Sequence, residues 1–319
     1  VGRDRFDGSV AILCGGVGAA RFLQGLRQVM SDGGITAIVN VADDLVLHGL
    51  RISPDIDTIV YTLAGAGSRE RGWGLEGETW QAMDMVRHYG GVDWFSLGDR
   101  DLGTHLFRTE RLSQGALLNE VTAELAAAWG LGLAVLPASN DRIQTMITTV
   151  DEGEIPFQEY FVRRRHDVTV TSVRFAGADG ARPGPGVLEA LEQADVVVIA
   201  PSNPVVSIDP ILAIDGVWPI LEARRSSVVA VSPIVGGKAL KGPADRMLAE
   251  LGHEASVAGI AGWYRSIAGT LVIDEVDADQ APAVESLGLS SVVTDTIMSE
   301  PRRAADLART TILAPTGRR

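Results

Sequence analysis

Val10-Ala11-Ile12-Leu13-Cys14-Gly15-Gly16-Val17-Gly18-Ala19-Ala20-Arg21 reads as an apolar strand, a glycine turn and the start of a helix. The continuous apolar run is that of a strand buried on both faces. Phe22, Leu23, Leu26, Val29 and Met30 then recur on one helix face. The glycines of the turn sit where helix-start N–H groups point outward, a geometry that holds phosphate. Arg21 stands where the third glycine of a G-x-G-x-x-G fingerprint would close helix against strand. The turn therefore predicts a nucleotide or diphosphate ligand and argues against plain NAD binding.

Working outward, strand-like runs at Val10-Leu13, Thr36-Asn40, Ala134-Leu136, Val196-Ala200, Val228-Val231 and Thr270-Ile273 alternate with helical patterns. That alternation predicts an α/β fold, a Rossmann-like parallel sheet with helices on both faces. About ninety residues separate the second run from the third, far more than one crossover needs. Helical patterns around Asp57-Leu63, Thr79-Tyr89, Thr104-Arg111 and Leu118-Trp129 make this a helical cap insert, about 55–130. A small β-rich insert, about 144–183, carries Gln144-Thr149, Glu159-Arg163 and Val168-Phe175 as its strands. Residues 1–319 are read as one α/β domain carrying these two inserts, with a mobile tail after Ala314.

The 319 residues carry a net charge of −13, 46% hydrophobic and 22% charged side chains, and a single cysteine, Cys14. Nonspecific nucleic-acid binding is excluded by the acidic balance. No apolar run approaches the roughly 18 residues of a membrane span, and the chain does not open on a signal-peptide pattern, so a cytoplasmic location is expected. Cys14 closes a buried strand and reads as a core residue. A phosphate site in so acidic a protein needs local arginine or lysine, or a divalent cation held by the surplus carboxylates.

Most of the distinctive polar clusters fall just after a predicted strand, where open α/β sheets place their ligands. Asn40-Val41-Ala42-Asp43-Asp44 follows the second strand, and Pro54-Asp55-Ile56-Asp57-Thr58 comes soon after. Their four carboxylates suit a hard cation such as Mg2+, with at least one aspartate of each cluster as ligand. The plainer alternative has Asp43 or Asp44 on a ribose and Asp55 capping the helix near Ile56. Ser202 and Asn203 in Pro201-Ser202-Asn203-Pro204 offer neutral donors to a phosphate or a base edge. Gly236 and Gly237, followed by Lys238 and Lys241, pair backbone amides with positive charge. Inside the cap, Gly98-Asp99-Arg100-Asp101-Leu102-Gly103-Thr104-His105 could bind a planar polar ligand, or be a solvated loop with Asp101 capping a helix.

Taken in order, the glycine turn, Asn40-Asp44, Ser53-Thr58, Arg71-Gly72-Trp73-Gly74, Gly98-His105, Pro201-Pro204 and Ser232-Gly237 resemble the 2-phospholactate transferase family of coenzyme F-420 biosynthesis. The resemblance runs over most of the chain. It implies a metal-dependent transfer onto the ribityl hydroxyl of the deazaflavin alcohol FO from a guanosine diphosphate ester of lactate or enolpyruvate. GMP leaves, and coenzyme F-420-0 or its dehydro form results. On this reading Gly16, Gly18, Gly236, Gly237 and Lys238 hold the diphosphate. Asp43 and Asp57 are catalytic and hold Mg2+, with Asp44 and Asp55 beside them. Asp99, Arg100, Asp101 and His105 receive FO, while Ser202 and Asn203 bind the guanosine side.

The style of the glycine turn and Arg71-Gly72-Trp73-Gly74 favour the enolpyruvyl donor of the actinobacterial form. A homodimer is implied, with no nucleic-acid or membrane partner. The rival readings are a nucleotide- or sugar-nucleotide-binding regulatory protein on the same scaffold and an NAD-linked oxidoreductase. Whether Asp57 is a metal ligand or the base that takes the ribityl proton is left open by residue type alone.

Overall fold

The computed structural model describes residues 5–68 and 70–316. The strands are β1 (Val10–Cys14), β2 (Ile35–Val39), β3 (Leu45–Leu47), β4 (Leu50–Ile52), β5 (Ala134–Pro137), β6 (Gln144–Thr149) and β7 (Gly153–Pro156). They continue with β8 (Val170–Ala176), β9 (Val196–Ile199), β10 (Val228–Val231), β11 (Ile234–Val235), β12 (Lys238–Ala239), β13 (Thr270–Asp274) and β14 (Ser290–Thr294). A seven-stranded sheet has the order β14-β13-β10-β9-β1-β2-β5, and all its pairings are parallel.

β1 lies inside the sheet, between β2 and β9, where side chains apolar on both faces are needed. Ala11 and Leu13 enter one buried cluster, while Val10, Ile12 and Cys14 enter the other. The Cys14 thiol donates to the Ile38 carbonyl at 3.3 Å, and burial, with the Asp55 charge second, raises its pKa, as expected of a core cysteine. Strand order reverses between β1 and β9, so their carboxyl ends flank the crevice where such sheets bind ligands.

All the strand-like runs assigned to the main sheet form strands there. β14 adds a seventh strand that the apolar pattern does not reveal, since Ser290-Ser291-Val292-Val293-Thr294 lies half exposed at the sheet edge. The β-rich insert is a three-stranded antiparallel sheet, β7-β6-β8. Its middle differs from expectation: Glu159–Arg163 forms a π-helical turn, and the extra strand is β7.

The cap is smaller than the span 55–130. Helix α1 (Gly16–Val29) and helix α2 (Pro54–Leu63) both cover the main sheet, with Ile56, Ile59 and Val60 in the same cluster as Ile12. After helices α3 (Gln81–His88) and α4 (Asp99–Ser113), helix α5 (Leu118–Ala128) returns to the sheet through Ala126 and the packed Leu118. What stands apart is α3, α4 and the β3–β4 hairpin, around a satellite core of Ile52, Met83 and Leu97. Ala314–Thr316 forms a short 3-10 turn, and the rest of the expected mobile tail lies outside the described residues. Among the described residues, no single helix is long and apolar enough to cross a membrane.

Candidate active site

The glycine turn is built by close approach. Gly16 takes φ +73°, the left-handed region that favours glycine. A Cβ on Gly18 would lie 2.5 Å from the Pro201 carbonyl oxygen, so only glycine lets α1 meet the loop after β9. Ser202 Oγ closes that contact by donating to the Gly15 carbonyl at 2.8 Å. Ser202 thus holds the turn itself, and Asn203 Oδ1 accepts from the Val205 amide at 3.0 Å.

The Gly16 amide does not face an open cradle. It donates to Asp55 Oδ1 at 2.8 Å, and Asn40 Nδ2 donates to Asp55 Oδ2 at 3.0 Å. Asp55 therefore neither caps α2 nor stands free for substrate, and it ties α2 to the glycine turn and to the end of β2. Burial raises its carboxyl to about 6, against the pull of the Asn40 and Gly16 hydrogen bonds.

Asp43 and Asp44 follow β2 on a turn anchored by the β-rich insert, where the Thr145 amide donates to Ala42 at 2.8 Å and Gln158 Nε2 donates to the Asp43 carbonyl at 3.3 Å. Ser53 Oγ donates to Asp44 Oδ2 at 2.7 Å. The other oxygens, Asp43 Oδ1 and Asp44 Oδ1, are buried without a hydrogen-bond partner. Burial raises Asp44 to about 8 despite the Ser53 bond and the Arg108 charge, and burial together with Asp55 raises Asp43 well above the carboxylate range. The two oxygens fit an oxygen-seeking cation such as Mg2+, although the Thr145 hydroxyl and the Asn40 amide lie near enough to Asp43 to pull its pKa down against burial.

Asp57 has a different neighbourhood. From α4, Arg108 reaches it with both terminal nitrogens, Nη1 to Oδ2 at 3.1 Å and Nη2 to Oδ1. Arg108 is 0% exposed and also donates from Nη1 to the Arg51 carbonyl at 3.4 Å. His105 Nδ1 lies 3.3 Å from Arg108 Nη1, and its Nε2 lies 3.3 Å from Asp101 Oδ2. His105 Nδ1 also lies 3.7 Å from Asp57 Oδ2, so the ring stands between the carboxylates of Asp57 and Asp101. Tyr61 of α2 donates to Asp101 Oδ1 at 2.6 Å. Burial would raise the Asp101 carboxyl, but the His105 hydrogen bond and charge outweigh it, and the net shift is downward.

Asp57, Asp101 and His105 present ligand atoms within 4.8 Å of one another, and Asp43 is not among that group. The guanidinium of Arg108 already supplies positive charge to it. Asp57, expected to share Mg2+ with Asp43, pairs with Arg108 inside a buried group whose ligand atoms could also hold a metal ion, whereas Asp43 and Asp44 hold the unpartnered oxygens. Arg108 was not legible as a site residue, although Asp101, His105 and Arg108 stand at i, i+4 and i+7, one helix face.

The Gly98-His105 segment is not a loop over a ligand. Asp99 accepts from the Gln81 and Ala82 amides at 3.0 Å each and so caps α3 from another segment. Glu78 returns the arrangement on α4, accepting from the Arg100 amide at 2.8 Å and the Asp101 amide at 3.0 Å. The Arg100 side chain donates to the Glu76 carbonyl. Asp101 and His105 face inward to Asp57, so only they of this segment join the site.

Gly236 and Gly237, at φ +57° and +75°, form the tight turn of the β11–β12 ribbon, and the Gly236 amide is taken by Asp277 Oδ2 at 2.9 Å. Lys238 is exposed on that ribbon. The lysine that reaches the glycine turn is Lys241: its Nζ is 3.2 Å from a Cβ built on Gly72, and Val17 is 3.7 Å from the same point. Burial, followed by the Arg21 charge, lowers the Lys241 pKa. The Gly72 loop is shaped by Arg71, whose guanidinium lies 5.6 Å from the Trp73 ring and 5.5 Å from the Trp80 ring.

A cavity of about 380 Å³ opens beside Asp44 and Ser53, walled by Leu45, Leu112, Leu118 and Ile143, with Arg51 and Arg142 at its rim. It lies between the β3–β4 hairpin and the ends of α4 and α5, on the flank of the cap away from Asp99.

Residues 10–307 match the family described as 2-phospho-L-lactate transferase CofD. The chain is 44% identical over 313 residues to the phosphoenolpyruvate transferase of Nocardia farcinica, covering 94% of each chain. It is 43% identical to that of Streptomyces griseus and 41% to that of Mycolicibacterium smegmatis, in each case over 94% of this chain and 96% of the relative. Protein BH3568 of Bacillus halodurans, of solved structure, shares the fold with a TM-score of 0.62 at 20% identity, over 98% of this chain and 100% of that one.

Proposed function

The chain belongs to the 2-phospho-L-lactate transferase CofD family and is a transferase, and from that membership we propose that it moves the phosphoenolpyruvate moiety of a guanosine diphosphate-linked donor to the ribityl hydroxyl of FO. GMP leaves and dehydro coenzyme F-420-0 forms. The enolpyruvyl donor is preferred to the lactyl one because the curated relatives cited above are phosphoenolpyruvate transferases. The observation that supports the reading is the pair of unpartnered buried oxygens, Asp43 Oδ1 and Asp44 Oδ1: Asp44 lines the cavity, and Asp43 lies in the field of Asp55, which holds the Gly16 amide of the glycine turn.

Phosphoryl-type transfer asks the protein mainly for alignment and for neutralising charge on the phosphoryl oxygens. Mg2+ held by Asp43 and Asp44 would supply that neutralisation and polarise the phosphorus under attack. Arg21 and Lys241, near the turn of Gly16 and Gly18, take the diphosphate, with the exposed Lys238 less well placed. The flat ring of FO fits the half-apolar cavity, with its ribityl chain running past Ser53 to the carboxylates. After the two bonds from Arg108, Asp57 keeps a lone pair on each oxygen, and with these it orients the attacking hydroxyl.

The chain is proposed to work in the cytoplasm as a homodimer. The test is a donor comparison: purified protein with FO and Mg2+ is given the enolpyruvyl or the lactyl donor, and GMP release is followed. Faster release from the enolpyruvyl donor is expected. Nucleotide or sugar-nucleotide binding with no transfer from either donor would favour the regulatory reading instead.

A further inference from the structure

We propose that Arg108 is a positioning residue for the transfer, acting through Asp57: its two-nitrogen fork fixes the orientation of the Asp57 carboxylate and couples the cap to the catalytic floor. The inference rests on the proposed transfer reaction. It adds a residue that lies outside every conspicuous motif of the chain.

The geometry separates this role from simple packing. Arg108 is fully buried, yet its charge is spent on the single carboxylate of Asp57 and on the carbonyl of Arg51, a residue that lines the cavity. A single-point ammonium could neutralise Asp57, but only a planar fork fixes both of its oxygens in one plane. The fork is itself braced. Nη1 abuts His105 Nδ1 at 3.3 Å, His105 Nε2 faces Asp101 at 3.3 Å, and Tyr61 holds Asp101 at 2.6 Å.

Tyr61 and Asp57 belong to α2, whereas Asp101, His105 and Arg108 belong to α4. The chain of contacts thus starts and ends on the core helix and passes through the cap helix. Movement of α4 relative to α2 must turn the Asp57 carboxylate, and the acceptor hydroxyl that it receives moves with it. Misalignment of a near-attack geometry lowers the rate of the bound complex more than the affinity for substrate.

The test is Arg108→Lys, alone and in an Asp57→Asn background, with kcat, KM for FO and Tm measured on each full-length protein. Lysine keeps the charge and loses the fork. We expect Arg108→Lys to lower kcat by about tenfold or more with KM for FO changed less than about threefold. Added to Asp57→Asn, it should lower kcat no further, because both changes act on one unit. If the single lysine variant proves unfolded by circular dichroism, Asp57→Asn/Arg108→Gln, which replaces the ion pair by two amides, should fold and match Asp57→Asn in rate.

Full kcat in Arg108→Lys overturns the proposal. So does a loss that multiplies with that of Asp57→Asn, or an amide pair markedly slower than Asp57→Asn. A wild-type protein that releases no GMP from either donor overturns the proposed function itself, a result distinct from any variant pattern.

Discussion

Asp55 Oδ1 accepts the amide proton of Gly16 at 2.8 Å across 39 positions of sequence, so the glycine turn and the carboxylate cluster are one mechanical unit. The first amide of the turn is spent on protein, and substrate phosphate must be met by what lies beyond it. Removing the carboxylate leaves the part-buried Gly16 amide without its acceptor and takes from Asn40 Nδ2 one of two, the Val206 carbonyl at 3.3 Å remaining. Asp55→Ala is therefore expected to destabilise the fold by about 1–3 kcal/mol, the scale of one unsatisfied group. Urea unfolding measures this, and wild-type stability in the variant would contradict it.

Stability should depend on pH through the same cluster. Folded Asp44 titrates at about 8 and folded Asp55 at about 6, both above the roughly 3.9 of an unfolded aspartate. The folded chain thus holds these protons more tightly. The stabilisation is fully present below about pH 4 and is lost as pH rises through 6 and then 8. Tm of metal-free protein should fall across that window, with a shallower fall between pH 6 and 8.5 in Asp44→Asn. Mg2+ should raise the wild-type Tm at pH 8, where the carboxylates it binds are ionising. Parallel Tm curves for the two proteins would count against the assignment.

Lys241, and not Lys238, faces the glycine turn through the Gly72 loop. Lys241→Met should weaken GDP binding by about 5–20-fold, the loss of one charge-assisted phosphate contact. Lys238→Met should leave it within about twofold, since it is Lys241 that lies by the Gly72 loop and Arg21. Calorimetric titration with GDP separates the two, and the reverse ranking would return the phosphate to the Gly236-Gly237 turn.

Asp99 joins α3 to the start of α4 and does not point into the cavity. The Thr79 hydroxyl and the Ala82 and Gln81 amides hold its carboxyl below the usual range, outweighing a small opposing effect of burial. Asp99→Ala should lower Tm modestly and raise KM for FO, with kcat nearly unchanged. A collapse of kcat with an unchanged Tm would make Asp99 a substrate contact.

The parts of the fold that were legible are those where one residue type answers to one environment. Buried parallel strands such as β1 must be apolar on both faces, and they read directly. β14 did not, because an edge strand of serines, valines and threonine carries no continuous apolar run. Tyr160-Phe161-Val162 has the composition of a strand, yet the chain there turns in a π-helix, where Phe161 stacks on Phe157 at 5.3 Å. Tertiary packing overrides β propensity at such a place.

Among site residues, Asp43, Asp44, Asp55 and Asp57 were found by their clustering after a strand, and the structure gives them separate tasks. Which carboxylate meets which donor is set by partners far away in sequence. Gly16 lies 39 positions from Asp55, and Arg108 lies 51 from Asp57. Only the helical spacing from Asp101 through His105 to Arg108 left a trace of the latter. Lys241 was noticed but ranked with Lys238, since a sequence does not say which side of a ribbon faces the turn.

The most direct measurement is product identification in a single incubation of purified protein with FO, the enolpyruvyl guanosine diphosphate donor and Mg2+. Mass spectrometry should find GMP and dehydro coenzyme F-420-0 in equal amounts, none of either with EDTA, and recovery on adding excess Mg2+. Asp43→Asn should lose at least about 100-fold in rate, the scale of one electrostatic contact to the reacting phosphoryl group. GMP formed without the phosphodiester, or transfer undiminished in Asp43→Asn, would contradict the account.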